Sequence, residues 1–274
     1  MLIVTYNIQW GLGRDGRIDL GRIAETVAAA DIIALQEVER HWRPQDWPDQ
    51  VARLSALLPD HHHVFGPSID LTGASRAAPR RQFGNMILSR WPIASTRTFP
   101  LQSLPVDGEF NDQASVLEAV IAAPQGALRL YNVHLTHLPQ GGRYGQALAL
   151  LEMIEAAGRH GTSISAPGRS GLGPEDDWLV LPDGVPPSPA SAVLAGDFNF
   201  GPGDPEWNLL KAPFAEALAL ARRTGSTAIT FPGARLHLDH IFLSADLTTR
   251  LARAWIDQEA PGSDHQPVWV ELRD

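Results

Sequence analysis

Hydrophobic positions change period several times along the 274-residue chain, and each change marks an element. Leu2–Ile8 and Asp31–Val38 are runs of apolar and β-branched residues, the pattern of buried strands. Between them Ile18, Ile23 and Val27 fall at helical spacing behind Asp19, a carboxylate able to cap the free amides of a first turn. Strand, helix, strand at this distance predicts a βαβ-like opening. A second helix is predicted over Asp46–Asp60, ended by Pro59. The middle of the chain then becomes strand-like over Phe83–Leu101, Asp112–Ala123 and Ala127–Leu138, with Pro, Gly or Asp at the breaks. In the last of these Leu128, Leu130, Asn132 and His134 share one face, and Arg129, Tyr131 and Val133 the other. Gly141–Arg159 carries a continuous helical stripe of Leu, Ala, Met and Ile.

From about residue 160 to 190 the chain is rich in Gly, Pro and Ser. A linker between domains has this composition, but no second core-sized set of elements begins after it. Strand-like runs resume at Ser191–Phe200, Leu236–Ser244 and Pro261–Val270. The expectation is one mixed α/β domain over 1–274, with two sheets face to face, helices outside and an ordered insertion draped on the body. Within the insertion residues 173–184 are a candidate lid, or an inert decoration.

Composition is that of a globular protein, 44% hydrophobic and 19% charged. No apolar run reaches membrane-spanning length, and the N-terminus lacks the basic and small-residue flanks of a signal peptide. There is no Cys, which removes disulfides, thiolate nucleophiles and Cys-based zinc sites, and suits the cytoplasm. A formal charge of −9 speaks against a protein that tracks long nucleic acid on a basic stripe. It suits a site where a cation offsets clustered carboxylates.

Several strands end in residues that strand interiors avoid: Asn7, Glu37, His134, Asp197 with Asn199, Asp239 with His240, and Asp264 with His265. Alone, each is most simply a turn or a satisfied polar group. Together, in this order, they resemble the endonuclease/exonuclease/phosphatase superfamily through "TYNI", "LQE", "GNMILSR", "VHL", "GDFN", "LDHIFLS" and "SDHQPV", from Thr5 to Val268. The resemblance implies a four-layered α/β/β/α sandwich with the active site at one edge of the paired sheets. It also implies a metal-dependent phosphoric ester hydrolase.

Carboxylates and an amide oxygen are hard ligands suited to Mg²⁺ or Mn²⁺, which makes Glu37, Asn7 and Asp264 the candidate metal shell. By the same resemblance Asp197 is the base that orients and deprotonates water, with Asn199 on the phosphate or that water. His265 donates to a non-bridging oxygen, oriented by Asp239. His134 contacts the scissile phosphate or leaving group. Asn85 matches a position near the site, with a turn-stabilising Asn as the plain alternative. Arg143 and Gln146 are expected to tie a helix to the site loops. Arg76, Arg80 and Arg81 are either guides for an anionic substrate or a solvated loop, and only Arg81 and Arg143 are carried forward as candidate substrate contacts. His240 is expected to pack, and His61–His63 to be a solvated or packing cluster. The favoured substrate is a small or lipid-derived phosphodiester. A DNA or RNA nuclease with the same groups is the alternative, and a non-catalytic binding domain ranks below both. No protein partner is indicated.

Overall fold

The computed structural model describes residues 1–43, 49–163, 185–221 and 228–274. The opening run forms β1 (Leu2–Asn7), and α1 (Leu20–Val27) is capped by Asp19, whose carboxylate accepts from the Gly21 and Arg22 amides. The chain returns as β2 (Ile32–Arg40), parallel to β1, so the βαβ opening is present. The second helix is shorter than its pattern, α2 (Gln50–Leu57), with Asp49 accepting from Ala52 N; residues 46–48 of the predicted span lie outside the described residues.

Next come β3 (His62–Leu71), β4 (Arg81–Ser89), β5 (Ile93–Pro100), β6 (Ser115–Ile121) and β7 (Leu128–His134), then α3 (Arg143–His160). After β8 (Ala192–Asp197) follow α4 (Pro205–Leu210), β9 (Ala215–Glu216), β10 (Asp239–Leu243), β11 (Leu251–Ile256) and β12 (Val268–Leu272). The strands form two six-stranded sheets, ordered β11-β12-β1-β2-β4-β3 and β5-β6-β7-β8-β10-β9.

Alternation along the strands makes the layers. Ile3, Ile32, Ile87, Leu117, Leu130, Val193 and Ile241 meet in the core between the sheets. Val4, Tyr6, Ile33, Leu35 and Met86 face the other way, onto α1 and α2. Tyr131, Val133, Leu194 and Phe242 face α3 and α4. Each fully buried Leu or Ile contributes about 1.5–3 kcal/mol, so the three layers of contact account for the sandwich. A polar brace also crosses between the sheets. Asn132 donates to Leu35 O and Met86 O, both at 2.9 Å, and accepts from Gln36 Nε2 at 2.7 Å. Because these groups are buried, a slip of one sheet against the other leaves them unsatisfied, and the brace fixes the register.

Two expectations need correction. The single run Phe83–Leu101 divides at Arg90–Pro92 into β4 of the first sheet and β5 of the second, so it is the crossover between layers. Asp264 and His265 do not open β12, which starts at Val268, because Pro267 has no amide for the ladder and holds Gln266 away from helical backbone. The candidate lid, residues 173–184, lies outside the described residues. Among the described residues no helix is long and apolar enough to cross a membrane.

Candidate active site

Strand direction gathers the polar residues at one edge. β1 ends there with Asn7, while the parallel β2 does not end at Glu37 as its pattern predicts but runs on to Arg40, with Glu37 just past the last pair, Asn7↔Gln36. β7 and β8 are parallel and end there with His134 opposite Asp197. The antiparallel strands start where these end. Asp239 of β10 pairs with Asp197, and Val268 of β12 pairs with Thr5, which brings Asp264 and His265 to the same edge. Both sheets therefore contribute side chains to one site.

Local backbone aims them. In β2 the register with β4 jumps from Leu35↔Met86 to Val38↔Gly84, so Gln36 and Glu37 face Asn85 alone. This is a β-bulge, and Glu37 takes φ 60° within it, a conformation costly for a side chain of its kind. The result turns the Glu37 carboxylate toward Asn7, whose Nδ2 donates to it at 2.9 Å and to Asp197 Oδ2 at 3.0 Å. Asn199, at φ 54°, closes a tight turn in which its amide donates to Asp197 Oδ1 at 2.9 Å. The glycine of "GDFN" has a packing reason: a Cβ on Gly196 would lie 1.9 Å from Val133 O, so only Gly lets β8 pair here with β7.

His265 Nδ1 and Asp239 Oδ2 are 2.8 Å apart, both buried, and His265 Nε2 lies 3.8 Å from Asp197 Oδ2. Burial works against a charged imidazole, but Asp239 first and then Asp197 hold the proton, and the His265 pKa is pushed up to about 10. Burial pushes the Asp239 carboxyl upward too, with His265 pulling it back. Burial likewise raises Glu37, against the pull of His134 and the Asn7 hydrogen bond. His134 Nε2 stands 3.8 Å from Asp197 Oδ2. Asp264 joins through Gln9, which donates from Nε2 to its Oδ2 at 2.9 Å and from its amide to Asn7 Oδ1 at 3.1 Å.

A model of the Endonuclease/Exonuclease/phosphatase family matches residues 4–265. The chain belongs to this family. No curated protein matches the sequence. Solved structures share the fold at low identity. One is an endonuclease/exonuclease/phosphatase family protein from Leptotrichia buccalis, with TM-score 0.67, 15% identity and all of both chains covered. A mannosyl-6-phosphatase from Bacteroides thetaiotaomicron has TM-score 0.65, 18% identity and all of both chains covered. A 3'-5' exonuclease from Neisseria meningitidis has TM-score 0.61, 21% identity and all of both chains covered. Membership in the endonuclease/exonuclease/phosphatase family makes the chain a phosphoric ester hydrolase of a divalent-metal-dependent class.

The donors of this family member fit a hard dication. Glu37, Asp197, Asp239 and Asp264 gather about the imidazoles of His134 and His265, so carboxylates outnumber the groups able to offset them. Asp197, Asp239 and His265 also lie close enough together to hold an ion. His265, however, turns both ring nitrogens toward carboxylates, Nδ1 to Asp239 at 2.8 Å and Nε2 to Asp197 at 3.8 Å, and these carboxylates favour its protonated form in the metal-free protein. The Asn7–Glu37 side, with oxygen donors only, is where Mg²⁺ or Mn²⁺ fits.

The remaining candidates separate. Arg143 is buried and bonds Glu206 Oε1 at 3.1 Å and the Asn199 carbonyl, so it positions the turn after Asp197. Gln146 accepts from Thr136 N at 2.9 Å, just past His134. Asn85 is buried and donates to Ser115 O and Asn132 O, which places it in the brace beneath the site. Arg81, at the start of β4, lies 5.7 Å over the Trp42 ring and donates from Nε to Thr72 O at 3.3 Å. Beside it Arg43 lies 4.6 Å over Trp10. Arg80 pairs with Asp70, and Arg76 is exposed. His61 is buried against Ala30 O while His62 and His63 face solvent, and His240 is buried with Nε2 at 2.8 Å from Phe200 O.

Pattern reading missed Gln9, Thr230 and Phe231. Gln9 has φ 45°, an unusual backbone that sequence does not announce. The Thr230 hydroxyl accepts the Asp239 amide at 3.0 Å, and the Phe231 ring lies 4.9 Å from that of His265. Both sit in a loop without periodicity. On the second-sheet side a cavity of about 1070 Å³ opens beside His265 and Asn199, lined by Arg143, Trp207, Phe231, Arg235 and Leu238 among others.

Proposed function

We propose that the protein is a divalent-metal-dependent phosphodiesterase acting on a small or lipid-derived phosphoester. The observation that carries this is Asp197: one oxygen is fixed by the Asn199 amide, and the other faces Asn7 Nδ2 and two imidazole nitrogens at 3.8 Å. A carboxylate so held can accept a proton from water without turning away from the phosphorus.

In this reading Glu37, Asn7 and Asp264 hold Mg²⁺ or Mn²⁺, which supplies Lewis-acid polarisation of a phosphoryl oxygen. Asp197 is the base. Asn199, with Nδ2 on Leu135 O and its carbonyl held by Arg143, keeps the turn rigid and lines the phosphate position. His265 is charged at neutral pH and donates from Nε2 as negative charge grows on a non-bridging oxygen. Asp239 holds the opposite nitrogen and stays out of the chemistry. His134 stands on the other side of Asp197 and serves the leaving oxygen.

The adjoining cavity mixes aromatic and aliphatic walls with Arg143 and Arg235, which suits an organic group carried by a phosphate. A second reading, a nuclease, draws on the Arg43–Trp10 and Arg81–Trp42 pairs, since stacked cations and indoles also bind bases. The test is turnover on bis-p-nitrophenyl phosphate, glycerophosphodiesters, sphingomyelin, sugar phosphates, plasmid DNA and RNA, each with Mg²⁺, Mn²⁺ or EDTA. Metal-dependent turnover of small diesters is expected. Plasmid cleavage at low enzyme with small diesters untouched overturns the substrate assignment, and turnover unaffected by EDTA overturns the metal.

A further inference from the structure

Beyond the catalytic edge, the geometry points to a second cation site of different chemistry, made by Glu216, His237 and His240 and open to the cavity. We infer that it takes a first-row transition dication of the Zn²⁺ type. Glu216 of β9 lies opposite Phe242, two residues from His240, so the two side chains share the outer face of the second sheet. His237 approaches from the segment before β10, its ring centroid 4.2 Å from that of His240. One ligand atom from each of the three residues lies within 4.8 Å of the others.

Two buried atoms are aimed into this space without a hydrogen-bond partner, Glu216 Oε1 and His240 Nδ1. Glu216 is 4% exposed and His240 0%. The other oxygen of Glu216 is occupied by the Ala219 amide at 2.6 Å. For His240 the tautomer follows from its surroundings: Nε2 faces the Phe200 carbonyl at 2.8 Å and must carry the proton. In the neutral ring Nδ1 is then a bare lone pair, 3.9 Å from Glu216 Oε1. That gap is too long for a hydrogen bond and slightly wider than the about 3.4 Å between ligands of a tetrahedral Zn²⁺. A carboxylate and an imidazole lone pair buried and unsatisfied together are costly unless something lies between them.

Ligand type sets this site apart from the catalytic one. Two imidazoles and one carboxylate suit Zn²⁺, Co²⁺ or Ni²⁺, whereas the oxygen donors at Asn7 and Glu37 suit Mg²⁺ or Mn²⁺. Phe198, Phe200, Trp207 and Phe242 ring His240 at centroid distances of 5.8, 5.7, 5.1 and 5.6 Å, an apolar sleeve of the kind that strengthens a metal site. Glu216, His237 and Trp207 line the cavity, so the fourth position faces its interior, within reach of an anionic oxygen of a bound molecule. An ion on His237 also anchors the segment that carries Phe231 against His265.

Titrating the full chain with Co²⁺ in saturating Mg²⁺ tests this through absorption. One equivalent is expected to bind with the visible band of a four- or five-coordinate ion, displaced by Zn²⁺. Glu216→Gln and His240→Phe should each weaken binding by more than about tenfold, while Glu37→Gln leaves it unchanged. Circular dichroism and melting in EDTA verify that the variants fold. A wild-type protein with no band, or a band lost in Glu37→Gln and kept in Glu216→Gln, overturns the site. Neither result depends on which phosphoester is turned over.

Discussion

The second sheet buries charge in two places, and the two are built on opposite rules. On its outer face, away from the catalytic edge, Glu118 of β6 is fully enclosed and receives Arg97 on both oxygens, at 2.8 and 2.9 Å, and Arg129 at 2.9 Å. The Arg129 guanidinium goes on to Ser188 Oγ. Every strong acceptor there has a charged donor, and the cations outnumber the anion. At the catalytic edge four carboxylates face two imidazoles, and part of their hydrogen bonding comes from the amides of Asn7 and Gln9. A balanced cluster holds strands together; one left short of positive charge is ready to receive a cation or to take up a proton. Burial alone does not tell them apart, because both are buried.

Substitutions should therefore fail in opposite ways. Asp197→Ala is expected to lower kcat on a diester by about 10³-fold, with the melting temperature close to that of the unaltered protein. Steady-state rates and calorimetry on the same samples check both halves. Glu118→Gln should do the reverse. It leaves the buried Arg129 and the half-buried Arg97 without their counter-charge and costs about 3 kcal/mol in urea unfolding, while kcat of the folded fraction is unchanged. Replacing all three side chains by Met, Leu and Met should recover most of that loss. If Glu118→Gln instead slowed turnover at full stability, the balanced cluster would have to be reassigned to the site.

What could be read from sequence follows the same division. The opening strand and helix, the cap at Asp19 and the inward and outward faces of β7 all follow from local pattern, and the family motifs carried Asn7, Glu37, Asp197, Asp239 and His265 to one edge. Pattern does not carry the bulge that turns Glu37, because register depends on β4, far along the chain. Nor does it separate Asn85 the brace from Asn85 the substrate contact, since both require a buried amide near the site. Edge strands β9 and β11 lack a continuous apolar run, and Arg253 in β11 faces solvent, so their period gives little signal. Gln9 and Thr230 act through backbone and loop contacts that no spacing rule describes.

The proton on His265 offers a smaller test of the same contrast. Its pKa rises from 6.5 to about 10 because Asp239 and Asp197 outweigh burial. A raised folded pKa adds stability that is fully present below about pH 6.5 and lost as pH climbs through about 10. Asp239→Asn removes the leading cause. Its pH–rate profile should bring the alkaline limb down toward neutrality, and at pH 8 an imidazole returned to its ordinary 6.5 is charged only about one time in thirty. A roughly thirtyfold drop at pH 8 that shrinks near pH 6 fits; a loss of equal size at every pH would mean that Asp239 merely holds the fold.

The smallest effect is the one that most directly asks why the catalytic edge is short of positive charge. Burial raises the Glu37 pKa, so in metal-free protein its ionised form costs stability above the ordinary carboxylate range, and the cost is relieved as pH falls toward the raised value. Glu37→Gln removes that cost, and the variant without metal should melt at the same temperature or slightly higher at pH 7. Its affinity for Mg²⁺ should fall by about tenfold or more, seen as a smaller rise in melting temperature on adding the ion. One substitution then helps the empty protein and harms the loaded one, a reversal that Glu118→Gln cannot show because its partners are arginines of the same chain. If Glu37→Gln destabilised the protein equally with and without Mg²⁺, Glu37 would belong with Glu118 as a structural charge.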